Sequence, residues 1–357
     1  MAAVICGSLA FDTIMSFEGR FAEQILPDQL HILNVSFLVP ALRRDFGGCA
    51  GNIAYSLKLL GGQPLPMATV GSDGYGYVAR MHSLGISTEF VREVDETYTA
   101  QAMIMTDRDN NQITAFHPGA MMHAHVTRIE ARADIRLGII SPDGRDAMIE
   151  HAQQFKLAGI PFVFDPGQGL PMFDGRELAA FIDASTWVTV NDYEGKMLSE
   201  RTGWSSAEIS RRVQGLVVTL GGEGCEVWVD GEKTLVPPVK PSDIVDPTGC
   251  GDAWRGALLY GLEQGWPLLR CAQLGNQVGA IKIASRGPQN YTLMSLRAGL
   301  AERPGRAAVQ CSEPNAGPTL CTCRGITLRL GPGIQAMDCG NQARPGLRSG
   351  VRKSSSV

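Results

Sequence analysis

Over roughly its first 300 residues the chain alternates short, largely apolar runs with stretches of helical period. Val4-Ile5-Cys6, Ala68-Thr69-Val70, Leu137-Gly138-Ile139-Ile140, Phe162-Val163-Phe164, Trp187-Val188-Thr189-Val190 and Leu216-Val217-Val218-Thr219-Leu220 are almost entirely without strongly polar residues. A strand with one wet face alternates apolar and polar residues. A strand covered on both faces need not, so these runs read as strands of a mostly parallel sheet. Candidate helices lie between them at 51–60, 75–84, 146–158, 192–202 and 205–213. Several stop at a glycine (Gly61, Gly85, Gly159, Gly203), as helices do when a left-handed residue closes the last turn. The expected architecture is three-layer α/β/α, with ligands beyond the carboxyl ends of the strands.

Residues 13–46 and 88–118 break the alternation. They hold strand-like pieces, Ser36-Phe37-Leu38-Val39 and Ala102-Met103-Ile104-Met105 among them, with no helix between. They are expected to form a small β-sheet beside the main one, as a lid over the site, a dimer contact, or both. Residues 1–300 thus form one domain. Residues 301–357, rich in Gly, Pro, Arg and Ser, have no sustained period apart from Ile326–Leu330 and are expected to be poorly ordered.

Hydrophobic residues make up 44% of the 357 and charged residues 19%, enough apolar surface for a sizeable core. A net charge of −4 gives no electrostatic reason to expect nucleic acid or an anionic membrane as partner. No run approaches the roughly 20 apolar residues that span a bilayer. The N-terminus lacks the basic region of a signal peptide and reads as a first strand. Nine is an odd number of cysteines, and Cys6, Cys49, Cys225, Cys250 and Cys271 show no disulfide spacing, which points to a reducing, cytoplasmic setting.

Asp246-Pro247-Thr248-Gly249-Cys250-Gly251-Asp252 is the segment richest in chemistry. Its glycines precede an apolar helix (Ala253, Ala257, Leu258, Leu262). Backbone amides of Gly249, Cys250 and Gly251 can converge there, and the helix dipole adds partial positive charge, so the turn can hold an anion. Asp252 inside that turn is either a base beside an anion hole, as hydroxyl phosphorylation needs, or a helix cap. G-x-x-x-x-G-K-[ST], H-E-x-x-H and G-x-S-x-G are absent, and Trp254 stands where a dinucleotide fingerprint needs its last glycine.

This segment resembles the C-terminal signature of the phosphofructokinase B, or ribokinase-like, carbohydrate kinases. Gly47-Gly48-Cys49-Ala50-Gly51-Asn52-Ile53-Ala54 is similar to their N-terminal signature, Asn191-Asp192-Tyr193-Glu194 to their N-x-x-E motif, and Thr219-Leu220-Gly221-Gly222-Glu223-Gly224 to their T-x-G-x-x-G segment. The resemblance implies Asp252 as catalytic base and the Gly249–Asp252 amides as anion hole. It places magnesium, through water, on Asn191 and Glu194, and ATP on Asn191, Thr219, Gly221, Gly224 and Asn276. Asp246 and the Thr248 backbone match part of a monovalent-cation (K+) site. Local pattern alone also allows Asn191 and Glu194 to be a helix cap with a solvated acid, and Asp12 to cap a turn.

Within that family the chain is most similar to bacterial adenosine kinases of the mycobacterial type. Leu26–His31, Val35–Val39, Gln112–Met121 and Thr189–Glu194 carry the likeness. Ser8, Asp12, Ser36, Gly48, Asn52, Phe116 and Gln168 fall on or beside nucleoside-pocket positions. Asp12 would bind two sugar hydroxyls, and Phe116 would stack on a purine unless it is a lid core aromatic. Two departures bear on the base. Ala102 replaces a second pocket phenylalanine; in Asp165–Met172 the glutamine after Gln168 is missing, and Met172 replaces an arginine. The resemblance implies ATP-dependent phosphorylation of the adenosine 5′-hydroxyl to AMP, in purine salvage, with a homodimer through the lid as an accompanying expectation. Ribose, fructose or another nucleoside as acceptor, and a non-catalytic nucleotide-binding regulator, are the rival readings.

Overall fold

The computed structural model describes residues 2–25, 34–109, 111–301 and two short stretches, 320–323 and 326–329. The chain divides into a unit Met1–Arg303 and a unit Pro304–Val357.

In the first unit, β1 (Ala2–Cys6) lies inside a nine-stranded sheet. On one side it pairs in parallel with β4 (Gln63–Gly71), which pairs with β5 (Phe90–Val94). On the other side come β8 (Ile135–Ile140), β9 (Phe162–Phe164), β10 (Trp187–Asn191) and β11 (Gly215–Thr219), all parallel. β12 (Cys225–Val229) and β13 (Glu232–Val236) close that edge as an antiparallel hairpin. A second sheet of four strands, β2 (Ala10–Ser16), β3 (Ala41–Gly47), β6 (Ala100–Thr106) and β7 (Gln112–His117), has the order β3-β2-β6-β7.

Successive residues of β1 point to opposite faces, and both faces are covered. Val4 and Cys6 pack into a core with α4 (Arg145–Ala158), α5 (Gly175–Ala184) and α6 (Asp192–Thr202), through Phe155, Phe181 and Leu198. Ala3 and Ile5 pack into another with α2 (Cys49–Leu60), α3 (Tyr75–Ser83), α8 (Cys250–Glu263) and α9 (Leu268–Ile283), through Ile53, Tyr77, Leu258 and Cys271. This is the expected three-layer arrangement, and it explains the apolar runs. The chain leaves β1 for β4 in one direction and later for β8 in the other, so the strand order reverses beside β1, where such sheets place their crevice.

Three expectations need correction. Ser36-Phe37-Leu38-Val39 is not a strand: the segment is irregular, and β3 begins only after Pro40, which has no amide to donate. Phe37 instead packs edge-on against Phe17 and Phe21, with ring centroids 5.0 and 5.2 Å apart. β5, assigned from sequence to the small sheet, is the edge of the main one. The helix expected at 205–213 is only Ser206–Ser210 (α7). In the second unit, β14 (Leu320–Cys323) pairs antiparallel with β15 (Ile326–Arg329); most of the tail expected to be poorly ordered lies outside the described residues. No helix among the described residues is long and apolar enough to cross a membrane.

Candidate active site

Ser8, Asp165, Asn191 and Thr219 sit at or just past the carboxyl ends of β1, β9, β10 and β11. Gly48, between β3 and α2, has φ +83. A Cβ there would stand 2.5 Å from the Ser8 carbonyl oxygen and 2.6 Å from the Ala10 amide, so only glycine lets the two segments meet. The Cys49 amide donates to Ser8 Oγ at 3.2 Å, which ties the start of α2 to the end of β1.

Gly249, also left-handed at φ +76, turns the chain into α8. The Cys250 amide closes that turn onto the Pro247 carbonyl at 3.1 Å. Among the described residues, the amides of Gly249, Gly251 and Asp252 have no hydrogen-bond partner. The open donors are therefore these three, and the Cys250 amide expected among them is occupied. Burial pushes the Cys250 thiol up to about 11, so it is a poor nucleophile at neutral pH.

Asp252 Oδ2 accepts from Asn52 Nδ2 at 2.8 Å. Asn52 is held in turn by Gln289 Nε2, 3.0 Å from both Asn52 Oδ1 and the Tyr77 hydroxyl, and Tyr77 donates to the Gly47 carbonyl. This chain of buried groups fixes the side chain that meets the carboxylate. Burial raises the Asp252 pKa to about 6, opposed by the Asn52 hydrogen bond and by Arg255. Asp12 is also raised to about 6, by burial first and then by the like charges of Asp45, Asp252 and Asp246.

Asp12 belongs to a row that crosses the small sheet. Asp45, Asp12, Ala102 and Phe116 are direct partners across β3, β2, β6 and β7, so their side chains share a face. At ~4.8 Å per strand, Asp12 and Phe116 are ~10 Å apart along this row. Ala102 between them leaves open the space a larger side chain would fill. Phe116 is 54% exposed. Ser36 lies in the irregular segment before β3, and Gln168 is exposed in the 3-10 turn Gly167–Met172 after β9.

On the other side of Asp252, Asn191 and Glu194 form a capping box at the start of α6, each side chain accepting from the other's amide at 2.7 and 2.8 Å. Asn191 is also the register partner of Thr219, which leads into Gly221 and Gly224. Asn276 Oδ1 accepts from Trp254 Nε1, and its Nδ2 donates to the Pro237 carbonyl at 2.9 Å, so this amide braces α8 against α9. Asp246 is held below the usual carboxylate range despite its burial, because the amides of Gly287 and Thr248 donate to it.

The sequence reading missed Arg255. Its side chain is buried, with Nε 2.6 Å from Asp165 Oδ2, one terminal nitrogen 3.8 Å from Glu194 Oε2 and the other donating to the Gly251 carbonyl at 3.2 Å. One guanidinium thus touches the Gly249–Asp252 turn and the acids after β9 and β10. A charge amid Ala253, Trp254, Ala257 and Leu258, three residues after Asp252, was the available signal. Among the described residues Asp165 Oδ1 is buried with no hydrogen-bond partner, and burial raises the Glu194 pKa. That leaves acceptor capacity beside the capping box for a hydrated Mg2+, an ion that keeps several waters.

Known proteins resemble the chain in sequence and fold. The chain is 29% identical over 293 residues to a nucleoside kinase of Methanocaldococcus jannaschii, covering 81% of this chain and 93% of the relative. It is 26% identical over 269 residues to mouse ribokinase, covering 69% and 80%. A solved structure of Burkholderia thailandensis nucleoside kinase in complex with ADP-inosine is 50% identical, covers 87% of this chain and all of its own, and superposes with a TM-score of 0.73. The model of the pfkB family carbohydrate kinases matches residues 21–294. With its ribokinase-like fold and Asp252 poised at the amino end of α8, the chain belongs to the pfkB family of carbohydrate kinases.

Proposed function

We propose that the chain transfers the γ-phosphoryl of ATP to the 5′-hydroxyl of a purine nucleoside, converting adenosine to AMP in purine salvage. The observation that carries the choice of a nucleoside over a free sugar is the row Asp12–Ala102–Phe116. It offers a carboxylate for sugar hydroxyls at one end and an exposed aromatic face at the other, ~10 Å away. Stacking of a base on such a ring contributes about 1–3 kcal/mol in nucleic-acid systems. Binding of inosine by the Burkholderia relative supports the same reading.

Asp252, ionised above about pH 6, accepts the proton of the attacking hydroxyl. The open amides of Gly249, Gly251 and Asp252 receive the oxygens of the transferring phosphoryl, and the dipole of α8 favours the charge gathered there. Glu194, Asn191 and Asp165 would hold magnesium through water, and the ion supplies charge neutralisation at the phosphates. The small sheet acts as a lid that keeps water from the γ-phosphoryl. Among the described residues Cys6, Cys49, Cys225, Cys250 and Cys271 are free thiols, which suits a reducing, cytoplasmic setting.

A panel of acceptors assayed for ADP release tests the reading. Adenosine is expected to exceed free ribose in kcat/KM by about tenfold or more, the scale of one stacked base. Gly169 and Met172 put no dedicated hydrogen-bonding side chain beside Gln168, so inosine is expected to turn over as well. Preference for ribose or fructose would overturn the nucleoside claim. Absence of ADP release with every acceptor would favour a nucleotide-binding regulator.

A further inference from the structure

Family resemblance places part of a K+ site on Asp246 and Thr248, but the residues present do not fit a mobile cation. Lys282 is fully buried. Its Nζ donates to the Asp246 carbonyl at 2.7 Å and to the Ser285 carbonyl at 3.2 Å. The Asp246 carboxylate is occupied too. Oδ1 accepts from the Thr248 amide at 2.9 Å, while Oδ2 accepts from the Gly287 amide at 2.9 Å and pairs with Arg43 at 3.4 Å. A bare monovalent cation has to replace its hydration with several oxygens. Here the oxygens already face an ammonium, a guanidinium and two amides. Lys282 also stands four residues after Val278 and seven after Gly275, on the buried stripe of α9. A charge is seldom kept at such a position without partners.

We propose that the Lys282 ammonium is a built-in substitute for the monovalent cation. It fixes the loop from Asp246 to Gly251 from behind, so that the Gly249, Gly251 and Asp252 amides stand oriented before the phosphoryl arrives. Turnover should then be independent of K+. Lys282 is a positioning residue: it touches the Asp246 and Ser285 carbonyls and no reacting atom. Burial lowers the pKa of this ammonium, and the neighbouring Asp246 opposes that shift.

The test measures initial rates and melting temperatures at one ionic strength in KCl, NH4Cl and choline chloride, for the native chain and for Lys282→Ala. Native turnover with ATP and adenosine is expected to agree within about threefold across the salts; larger activation by KCl over choline overturns the proposal. Lys282→Ala opens a space lined by carbonyl oxygens. Its turnover in choline is expected to fall by about tenfold or more and to recover by more than about threefold in KCl or NH4Cl. Parental turnover in choline, or a loss that neither cation restores, overturns it. Should Lys282→Ala not fold, the native salt series decides.

The activity arm rests on the phosphotransferase reading, whereas the melting arm does not. If no acceptor is turned over, the proposal still requires a native Tm that KCl does not raise above its value in choline. It also requires a Lys282→Ala Tm that KCl or NH4Cl raises by about 2 °C or more, as a ligand of the folded state does. The reverse pattern, or no response in the variant, counts against it.

Discussion

Asp12 and Asp252 each have a pKa of about 6, well above the ordinary 3.8 for aspartate, and both must be ionised for the proposed reaction. The kcat/KM for the nucleoside should therefore fall as pH drops through about 6, with a limb steeper than one proton per pH unit. The apparent values belong to the coupled pair rather than to either residue. A flat profile from pH 7.5 to 5 would remove both from the mechanism. Stability runs the other way. A carboxyl whose folded pKa lies above its unfolded value binds its proton more readily in the folded chain. These two groups therefore disfavour folding above pH 6, and that cost is relieved as pH falls from 6 toward 4. Asp252→Asn removes a buried charge and keeps an oxygen for Asn52. Its turnover should drop by about three orders of magnitude or more. The Tm of the ligand-free protein at pH 7.5 should meanwhile rise by about 2 °C or more. Turnover within tenfold of the parent would exclude Asp252 as the base.

Helix α8 joins both halves of the site, since Asp252 accepts from Asn52 while Arg255, less than one turn on, reaches Asp165 and Glu194. Arg255→Met leaves Asp165 buried without its counter-charge, a loss worth about 3–5 kcal/mol in comparable buried pairs. A purely structural role predicts only lower stability. A role in setting the base predicts in addition that the acid limb of kcat/KM moves to higher pH, because the guanidinium holds the Asp252 pKa down. Arg255→Lys, which keeps a charge but not the fork, should recover part of that shift. An unmoved acid limb in both variants would confine Arg255 to packing. Several elements were readable in advance and others were not. The parallel strands announced themselves because both their faces are buried. The hairpin of β12 and β13 carries a readable Asp230-Gly231 turn, with φ +51 and +84, and α5 carries a readable Asp174…Glu177 capping box. That β5 joins the main sheet was not legible, because an apolar run does not specify which neighbour it will pair with. The bridge from Gln289 to Asn52 spans 237 residues and leaves no local trace.

At the scale of the whole molecule, the small sheet has two unlike faces. One carries Asp12 and Phe116. The other carries the apolar row Leu42, Met15, Met105 and Ile113, with Leu42 63% and Ile113 42% exposed. A second copy of the chain is the proposed cover for that row. Light scattering is expected to give twice the chain mass for the native protein and a monomer for Ile113→Lys; a native monomer would sink the dimer. Every candidate site residue, from Ser8 to Asn276, and the buried Lys282 and Gln289, lie within the unit Met1–Arg303, and the family match ends at residue 294. The buried clusters likewise draw on residues up to Leu293. Removing residues 304–357 therefore deletes none of the candidate site residues and none of the described core residues. The shortened chain is expected to keep its far-UV circular dichroism, a Tm within about 2 °C of the full chain and turnover within about twofold, the usual range for changes outside a domain's core. Loss of cooperative melting on truncation would show that the tail contributes to the fold. Intact melting with lost turnover would assign it a part in the reaction that no residue of the first unit performs.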